Sequence, residues 1–239
     1  KDLDSLSSSK WKKRKDKALK QTFDTAAELL EVQSKRNVTL GHAFLVDYDD
    51  YENFAGNFPY EETYDQKRTI EEVIDDMTSH KPMDRLVCGE VGFGKTEVAM
   101  RAAFICALNN KQTCILAPTT LLTSQHLASF RDRFKDTGIN IASLSRNVSK
   151  SQKDQLLLQL ESGEIDIVIG THALIQGNIK FKDLGLLIVD EEHRFGVRQK
   201  EKIKILKEEV DILSLSATPI PRSLNFALSE LKDLSIIAT

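Results

Sequence analysis

The sequence predicts an α/β domain in which a parallel sheet is covered by helices on both faces. Short apolar runs alternate along the chain with stretches of helical spacing, an order typical of parallel strands joined by crossover helices. The runs are apolar throughout rather than at every second position, which indicates strands buried on both faces. One of these strands leads directly into a glycine-rich loop, so the fold also predicts where chemistry takes place.

The apolar runs and the helical patterns between them set the order of elements. Six runs are predicted as strands: residues 86–88, 113–117, 141–144, 165–169, 184–189 and 212–215. Helical spacing occurs between residues 66 and 77, between 97 and 108, and between 122 and 134. A further helix opens with Ser149 and Gln152 at the spacing of a capping box and closes with Gly163.

The first 57 residues are predicted as a unit separate from the domain of residues 58–239. Residues 1–9 are serine-rich and indicate a linker, whereas residues 10–36 lack Gly and Pro and have the apolar spacing of a long amphipathic helix. Residues 1–36 hold ten Lys and Arg against six Asp and Glu, a net charge of +4. We interpret this run as a solvated helix face, with phosphate binding as the alternative. Residues 41–57 are expected to be irregular.

Bulk composition indicates a cytoplasmic protein. No apolar run approaches the roughly 20 residues that a membrane helix needs, and the polar start of the chain predicts no signal peptide. Cys88, Cys106 and Cys114 are odd in number and lie in apolar segments, as expected for buried free thiols in a reducing compartment. The net charge is −3, but residues 47–76 alone carry −9. A basic segment followed by an acidic one indicates two different surfaces rather than a single surface that binds nucleic acid.

The loop after the first strand has the pattern of a phosphate-binding loop, Gly-x-x-x-x-Gly-Lys-Thr. Its glycines allow the backbone to turn N–H groups toward phosphate oxygens, and the positive end of the following helix adds to that field. Lys95 is expected to reach the terminal phosphates and Thr96 to bind Mg²⁺. The predicted nucleotide contacts are Gly89, Glu90, Val91, Gly92, Phe93, Gly94, Lys95 and Thr96.

A second motif lies about a hundred residues further on, where the strand of residues 184–189 ends in Asp190, Glu191, Glu192 and His193. Asp190 is predicted to hold Mg²⁺ mostly through its water shell, and Glu191 to orient and deprotonate an attacking water. The two motifs are expected to meet at the carboxyl ends of neighbouring strands. Together they predict nucleotide hydrolysis; a small-molecule kinase fits poorly, because kinases exclude water.

Several weaker segments resemble motifs of superfamily 2 helicases, in the order in which those proteins carry them. Residues 117–122 resemble motif Ia, residues 170–172 motif Ic and residues 216–218 motif III. The DNA contacts that this resemblance implies are Thr119, Thr120, Ser145, Arg146, Thr171 and His172. The residues that it implies for coupling the ATP site to the DNA site are His193, Ser216 and Thr218. Hydroxyl groups at strand ends suit phosphates and carry no base specificity.

Residues 58–66 resemble the Q motif of the same superfamily. The resemblance implies that Gln66 recognises the adenine edge, for which its amide has both a donor and an acceptor. It also implies that Phe58 stacks near the base. The expected nucleotide is therefore ATP rather than GTP.

Three longer stretches resemble the transcription-repair coupling factor family: Met83–Phe104, Asp190–Arg198 and Ser216–Arg222. The likeness extends over essentially the whole chain, including the helix around Trp11. The fork-remodelling relative RecG shares part of these stretches. In RecG proteins a small residue usually stands at the position of Phe93 and Gln at that of Glu192, and both departures favour the coupling factors.

The family resemblance implies the first RecA-like motor lobe of a double-stranded DNA translocase, an ATP hydrolase that uses ATP and Mg²⁺. Such a translocase displaces stalled RNA polymerase and recruits UvrA. Contacts with these two partners, and the arginine finger of a second RecA-like lobe, are expected outside these residues, so the isolated chain is expected to be nearly inactive. Two alternatives remain open: a RecG-like helicase lobe and a nucleotide-dependent binding switch without translocation.

Overall fold

A computed structural model describes residues 40–144, 149–175, 179–195, 199, 202–203, 210–218 and 233–238. Within these ranges no helix has the length and apolar character that a membrane span requires. The predicted helix of residues 10–36, together with Ser145, Arg146 and Arg198, lies outside the described residues.

In the part of the chain that the structure describes, seven strands form one sheet in which every pairing is parallel, in the order β3-β4-β2-β5-β6-β1-β7. The strands are β1 Asp84–Gly89, β2 Gln112–Leu116, β3 Ile141–Leu144, β4 Ile167–Gly170, β5 Leu184–Asp190, β6 Asp211–Ser216 and β7 Asp233–Ile237. Each of the six predicted runs overlaps one of β1–β6. The predicted α/β fold with a parallel sheet is confirmed.

Within the described residues, five α-helices connect and cover the strands: α1 Tyr48–Gly56, α2 Tyr64–Thr78, α3 Lys95–Leu108, α4 Thr120–Arg133 and α5 Lys150–Ser162. Short 3-10 turns follow β4 and β5, at His172–Ile175 and Glu192–Arg194. The capping box of Ser149 and Gln152 is confirmed at the start of α5, and Gly163 ends that helix at φ 82°. This left-handed conformation is one that glycine adopts without a steric penalty.

Successive residues of the central strands point into two different apolar cores. In β5, Leu186 and Ile188 belong to a core shared with the first four helices, whereas Leu187 and Val189 belong to a core shared with α5. All four side chains are fully buried. The uninterrupted apolar runs in the sequence therefore reflect a sheet that is covered on both faces.

The expectation that residues 41–57 are irregular is wrong, because α1 occupies most of this segment. Asp47 caps the helix, its side chain accepting hydrogen bonds from the backbone N–H groups of Asp49 and Asp50. Phe54, on the buried face of the helix, stacks on Phe104 of α3 with 4.2 Å between the ring centroids. The helix thus packs into the domain core; the division at residue 57 stays a prediction.

Strand β7 has no counterpart among the predicted runs. It pairs with β1 and is the outermost strand on that side of the sheet. Arg85 of β1 holds it in place by donating to the Ser235 hydroxyl at 2.9 Å, while its guanidinium also pairs with Asp76 of α2 at 2.6 Å. This edge is therefore fixed by a polar contact as well as by the backbone ladder.

The three cysteines are buried free thiols, as predicted. Burial raises the pKa of the Cys106 thiol to about 12 and raises the pKa of the Cys114 thiol further. Both side chains therefore stay protonated and act as small apolar groups of the core.

Candidate functional site

The order of the strands brings three loops together at one edge of the sheet. The phosphate-binding loop follows β1, Asp190 ends β5 and is followed by Glu191, and Ser216 ends β6 and is followed by Ala217 and Thr218. Because all strands are parallel, their carboxyl ends lie at the same edge. The prediction that β1 and β5 are neighbours is wrong: β6 lies between them, so the turn after β6 separates the two nucleotide motifs.

The phosphate-binding loop has backbone conformations that favour glycine. Gly92 has φ 92° and Gly94 φ 78°. A Cβ atom at Gly94 would also lie 2.5 Å from the side-chain nitrogen of Gln66. In the described part of the chain, no acceptor takes the N–H groups of these two glycines. The loop therefore presents open donors directly before the positive end of α3, an arrangement that suits phosphate oxygens.

Lys95 folds back over the loop that carries it. Its Nζ atom donates to the carbonyl oxygens of Gly89 at 2.6 Å and Glu90 at 2.8 Å. Burial lowers the pKa of the Lys95 ammonium, and the nearby charges of Glu191 and Asp190 act in the opposite direction. The ammonium thus lies in a partly desolvated position facing both carboxylates, where a phosphate oxygen is a better partner than a neutral carbonyl.

Gln66 links the predicted Q motif to the phosphate-binding loop. Its Oε1 accepts from the Thr63 N–H at 3.0 Å in a capping box at the start of α2, and its Nε2 donates to the Phe93 carbonyl at 3.1 Å. One lone pair and one N–H of the amide remain for a base. Neither Gln66 nor Phe58 is among the lining residues of the cleft described below, so their adenine contacts stay predictions.

Glu191 lies at the junction of β5 and the following turn, in a left-handed conformation with φ 51°. Its Oε1 accepts from the Ala217 N–H at 2.9 Å. Its Oε2 is buried and makes no hydrogen bond within the described residues, although the Nδ1 atom of His193 is 3.3 Å away. A buried carboxylate oxygen without a hydrogen bond is costly unless a ligand or water completes it.

Of the predicted coupling residues, His193 lies beside Glu191, as described above, and Ser216 and Thr218 contact each other at the end of β6. The Ser216 and Thr218 hydroxyls are 2.7 Å apart, and the Ser216 hydroxyl also accepts from the Thr218 N–H at 3.2 Å. Two residues before Ser216, within β6, the Ser214 hydroxyl donates to the Glu192 carboxylate at 3.2 Å. β6 and the turn after it are thus tied to the segment after β5 by the Ser214–Glu192 and Ala217–Glu191 hydrogen bonds.

A cleft of about 520 Å³ unites the loop and the carboxylates. It is lined by Val91, Gly92, Gly94, Lys95, Thr96, Leu122, Gln125, His126, Ser129, Asp190, Glu191, Arg194, Leu215 and Ala217. Gln125, His126 and Ser129 of α4 were not among the predicted site residues. The feature of the sequence that could have identified this side of the cleft is helical spacing, because residues 122, 126 and 129 share the face of α4 that turns toward Asp190.

The cleft contains the residues expected to hold Mg²⁺: Thr96 in the first turn of α3 and Asp190 at the end of β5. No group of three or more metal-ligating side chains occurs in the ranges that the structure covers. Mg²⁺ at nucleotide sites uses few protein ligands and takes its other oxygens from phosphates and water. A hydroxyl and a carboxylate beside a phosphate-binding loop therefore fit a magnesium ion that arrives with a nucleotide.

The predicted DNA contacts follow β2 and β4 at the same edge of the sheet. Thr119 caps α4, its hydroxyl accepting from the Leu122 N–H at 3.2 Å, and both Thr119 and Thr120 are exposed. Thr171 is only 4% exposed, and its hydroxyl lacks a hydrogen bond within the described residues. His172 is half-buried. Two of the four described candidates are therefore open to a phosphate backbone.

A buried ionic cluster supports the start of α3 directly behind the loop. Glu97 pairs with Arg101 at 3.0 Å and with Arg133 of α4 at 2.8 Å. Arg101 also pairs with Glu62, and Arg133 lies over the ring of Phe54 at 3.9 Å from its centroid. The cluster joins the segment before α2 to α3, α4 and α1, and so fixes the base of the cleft.

Comparison with known proteins places this geometry among helicases. The family model described as "DEAD/DEAH box helicase" matches residues 63–226. Transcription-repair-coupling factors are similar over 99% of the chain in Haemophilus influenzae (54% identity) and Escherichia coli (53%), and over 98% in Bacillus subtilis (47%). The predicted resemblance is thereby confirmed. The chain spans about a fifth of the length of these relatives, 20–21%.

Solved structures agree with this placement. The structure "RecG bound to three-way DNA junction" is similar with a TM-score of 0.76 and 37% identity, over 87% of this chain and 28% of that one. The UvsW helicase from bacteriophage T4 has a TM-score of 0.59 at 17% identity, over 85% of this chain and 71% of that one. The second likeness shows the fold alone.

Proposed function

From the premise that this chain belongs to the DEAD/DEAH box helicase family, we propose that it is the ATP-binding motor lobe of a double-stranded DNA translocase. The observation that carries the proposal is the meeting of Lys95, Thr96, Asp190 and Glu191 in one cleft. A phosphate-binding loop facing a pair of carboxylates, one of them with a free buried oxygen, suits hydrolysis by water rather than binding alone.

Each residue of the cleft has a distinct role in this proposal. Lys95 leaves the loop carbonyls and binds the terminal phosphates of ATP, while Thr96 and Asp190 hold the magnesium ion. The ion, when bound, neutralises charge on the phosphate oxygens. Glu191 orients the attacking water through Oε2 and accepts its proton there. Its other oxygen stays on the Ala217 N–H, which keeps the carboxylate aimed into the cleft.

For the longer protein we propose the role of a transcription-repair coupling factor. The lobe then drives movement along duplex DNA, and domains beyond these residues contact stalled RNA polymerase and UvrA. Support comes from relatives of that name at 47–54% identity over almost the whole chain. A RecG-like role is the second candidate, favoured by the 37% identity to the RecG structure with its DNA junction.

Duplex DNA binding tests the motor proposal against a simple nucleotide switch. We expect the 239-residue chain to bind unrelated duplex sequences equally, with an affinity that falls as salt rises, because its candidate contacts suit phosphates. Thr120→Val removes an exposed hydroxyl and should weaken binding to every duplex alike, on the order of tenfold. Fluorescence anisotropy at several salt concentrations measures both effects.

Thr78→Val is the matched control for this experiment. Thr78 is exposed at the end of α2, at the opposite edge of the sheet, and its hydroxyl bonds only within its own helix, to the Asp75 carbonyl at 3.1 Å. It should leave DNA binding unchanged. A strong preference for one duplex sequence at fixed salt, or no binding to any duplex, would contradict the proposal.

Lys95→Ala should weaken the binding of ATP but leave the binding of adenosine almost unchanged. The ammonium acts on the terminal phosphates from a partly desolvated position, where a charge-assisted hydrogen bond contributes about 1.5–3 kcal/mol, roughly 10–150-fold in affinity. Isothermal titration calorimetry with both ligands checks this. Lys111→Ala, which removes a lysine paired with Asp183 at the other edge of the sheet, is the control. Equal losses for the two ligands would refute the assignment of Lys95.

A further inference from the structure

We propose that His126 is a positioning residue of the magnesium site, which holds the Asp190 carboxylate in the orientation that receives the metal. The inference rests on the proposed function, since it takes Asp190 as the metal-binding carboxylate. It adds a residue from α4, an element that contributes none of the predicted nucleotide or metal contacts.

The geometry between the two side chains is that of a direct hydrogen bond. The Nε2 atom of His126 lies 2.9 Å from Oδ2 of Asp190. Both side chains are largely shielded from water, at 11% and 13% exposure. A hydrogen bond in such a place is screened little and restricts the carboxylate more strongly than a surface pair does.

The chemistry of the pair fixes which atom donates. An ionised carboxylate only accepts, so Nε2 of His126 carries the hydrogen. The bond then occupies Oδ2 and leaves Oδ1 of Asp190 for the metal or for its bound water. A histidine that donates to a metal-binding carboxylate is an outer partner of the kind that orients ligands at metal sites.

The surroundings of His126 hold its ring in this position. The ring of Phe130, one helical turn further along α4, meets it edge to face with 6.5 Å between the centroids. Phe130 is itself fully buried in the core. Since α4 begins at the capped Thr119 after β2, the bond to Asp190 also ties the first turns of this helix to the end of β5.

Magnesium-dependent nucleotide binding tests the proposal. The binding of a non-hydrolysable ATP analogue to the 239-residue chain is measured by calorimetry at increasing Mg²⁺, and also in EDTA. His126→Phe keeps a ring beside Phe130 but removes the donor. It should raise the Mg²⁺ concentration for half-maximal tightening by roughly 10–100-fold, with affinity in EDTA unchanged. His126→Gln, which keeps an N–H donor, should recover much of the loss.

Control variants separate this inference from the proposed function. Ser124→Ala removes an exposed hydroxyl of α4 that bonds to its own helix and should change nothing. Asp190→Asn should raise the Mg²⁺ requirement at least as much as His126→Phe. If Asp190→Asn raises it and His126→Phe does not, the positioning role is wrong while the magnesium site stands. If neither raises it, the magnesium site itself falls, and the role of His126 with it.

Two further outcomes would also count against the positioning role. A loss of analogue binding in EDTA that matches the loss in Mg²⁺ would mean that His126 supports the nucleotide site in general. An equal loss for His126→Phe and His126→Gln would mean that the packing of the ring, and not its donor, is what matters.

Discussion

The 239-residue chain alone should bind Mg·ATP but release phosphate roughly 10³–10⁵ times more slowly than the same chain joined to a second motor lobe. Transfer of the terminal phosphate needs positive charge on the departing group. In helicase-like motors an arginine from the second lobe supplies that charge by closing over the nucleotide. In the proposed mechanism, Glu191 and Lys95 of this cleft act on the water and on the phosphates, and the second lobe supplies the arginine.

Arg194, which lines the cleft, is not expected to replace such a finger. It lies in the 3-10 turn directly after Glu191, so it is on the same wall of the cleft as Glu191. It has no position from which to approach the nucleotide from across the cleft. Arg198, four residues further, lies outside the described residues.

A steady-state phosphate-release assay measures the difference. It compares the chain, the chain extended by the second lobe, and the Glu191→Gln variant of each. The extended chain should turn over, and Glu191→Gln should abolish that turnover. Rapid turnover by the chain alone, lost in its Glu191→Gln variant, would overturn the two-lobe account.

Glu97→Ala should destabilise the folded lobe by about 3–5 kcal/mol, the usual cost of removing one partner from a buried ion pair. Glu97 stands between Arg101 and Arg133, and its loss leaves two positive groups facing each other in the interior. Arg101 is 4% exposed, so water does little to compensate. Glu97 also lies in the first turn of α3, where a carboxylate favours the positive helix end.

Urea denaturation followed by circular dichroism gives the free energy of unfolding for this comparison. Glu97→Gln keeps the shape and an acceptor oxygen and should cost less than Glu97→Ala. Glu71→Ala, at an exposed position of α2, should stay within about 0.5 kcal/mol of the unmodified chain. If the Glu97→Ala variant were as stable as Glu71→Ala, the charges of Arg101 and Arg133 would not depend on Glu97 for compensation, and the prediction would be wrong.

The strands and the cleft were predictable because their signals are local. A short apolar run such as residues 184–189 is typical of a strand buried on both faces, and the glycine-rich loop is typical of phosphate binding. The order of the strands was not predictable in the same way. Whether β6 or β5 lies beside β1 depends on pairings between segments about a hundred residues apart or more, which no local pattern encodes.

Three features of the structure, α1, β7 and His126, were not predicted from the sequence, each for a different reason. Helix α1 is short and acidic, so its two buried aromatic side chains, Tyr51 and Phe54, looked like those of a loop. Strand β7 is an edge strand with only Ser235 and Ile237 buried, too weak a pattern to detect. Predicting the contact between His126 and Asp190 would have required knowing which face of α4 turns toward Asp190. The spacing of four from His126 to both Leu122 and Phe130 was the available signal.

Gln66 shows how one residue can satisfy two readings of a sequence. The spacing from Thr63 to Gln66 is that of a capping box, and the structure contains that box. The same amide reaches the Phe93 carbonyl in the phosphate-binding loop. The resemblance to the Q motif predicted only a contact with the nucleotide. It did not predict the hydrogen bond from Gln66 to the Phe93 carbonyl, because a sequence motif carries no information on such a backbone contact.

Because β6 lies between β1 and β5, the turn after β6 is directly beside the Glu191 carboxylate at the end of β5. Adjacent strands are about 4.8 Å apart, and the Glu191 carboxylate already touches the Ala217 N–H at the start of the turn after β6. Coupling between sites 20–40 Å apart requires a chain of rearranging contacts. In the proposed mechanism, a change at the Glu191 carboxylate reaches Ala217, the residue between Ser216 and Thr218, through one hydrogen bond. We therefore propose that coupling in this domain acts over a short range, from the end of β5 to the end of β6.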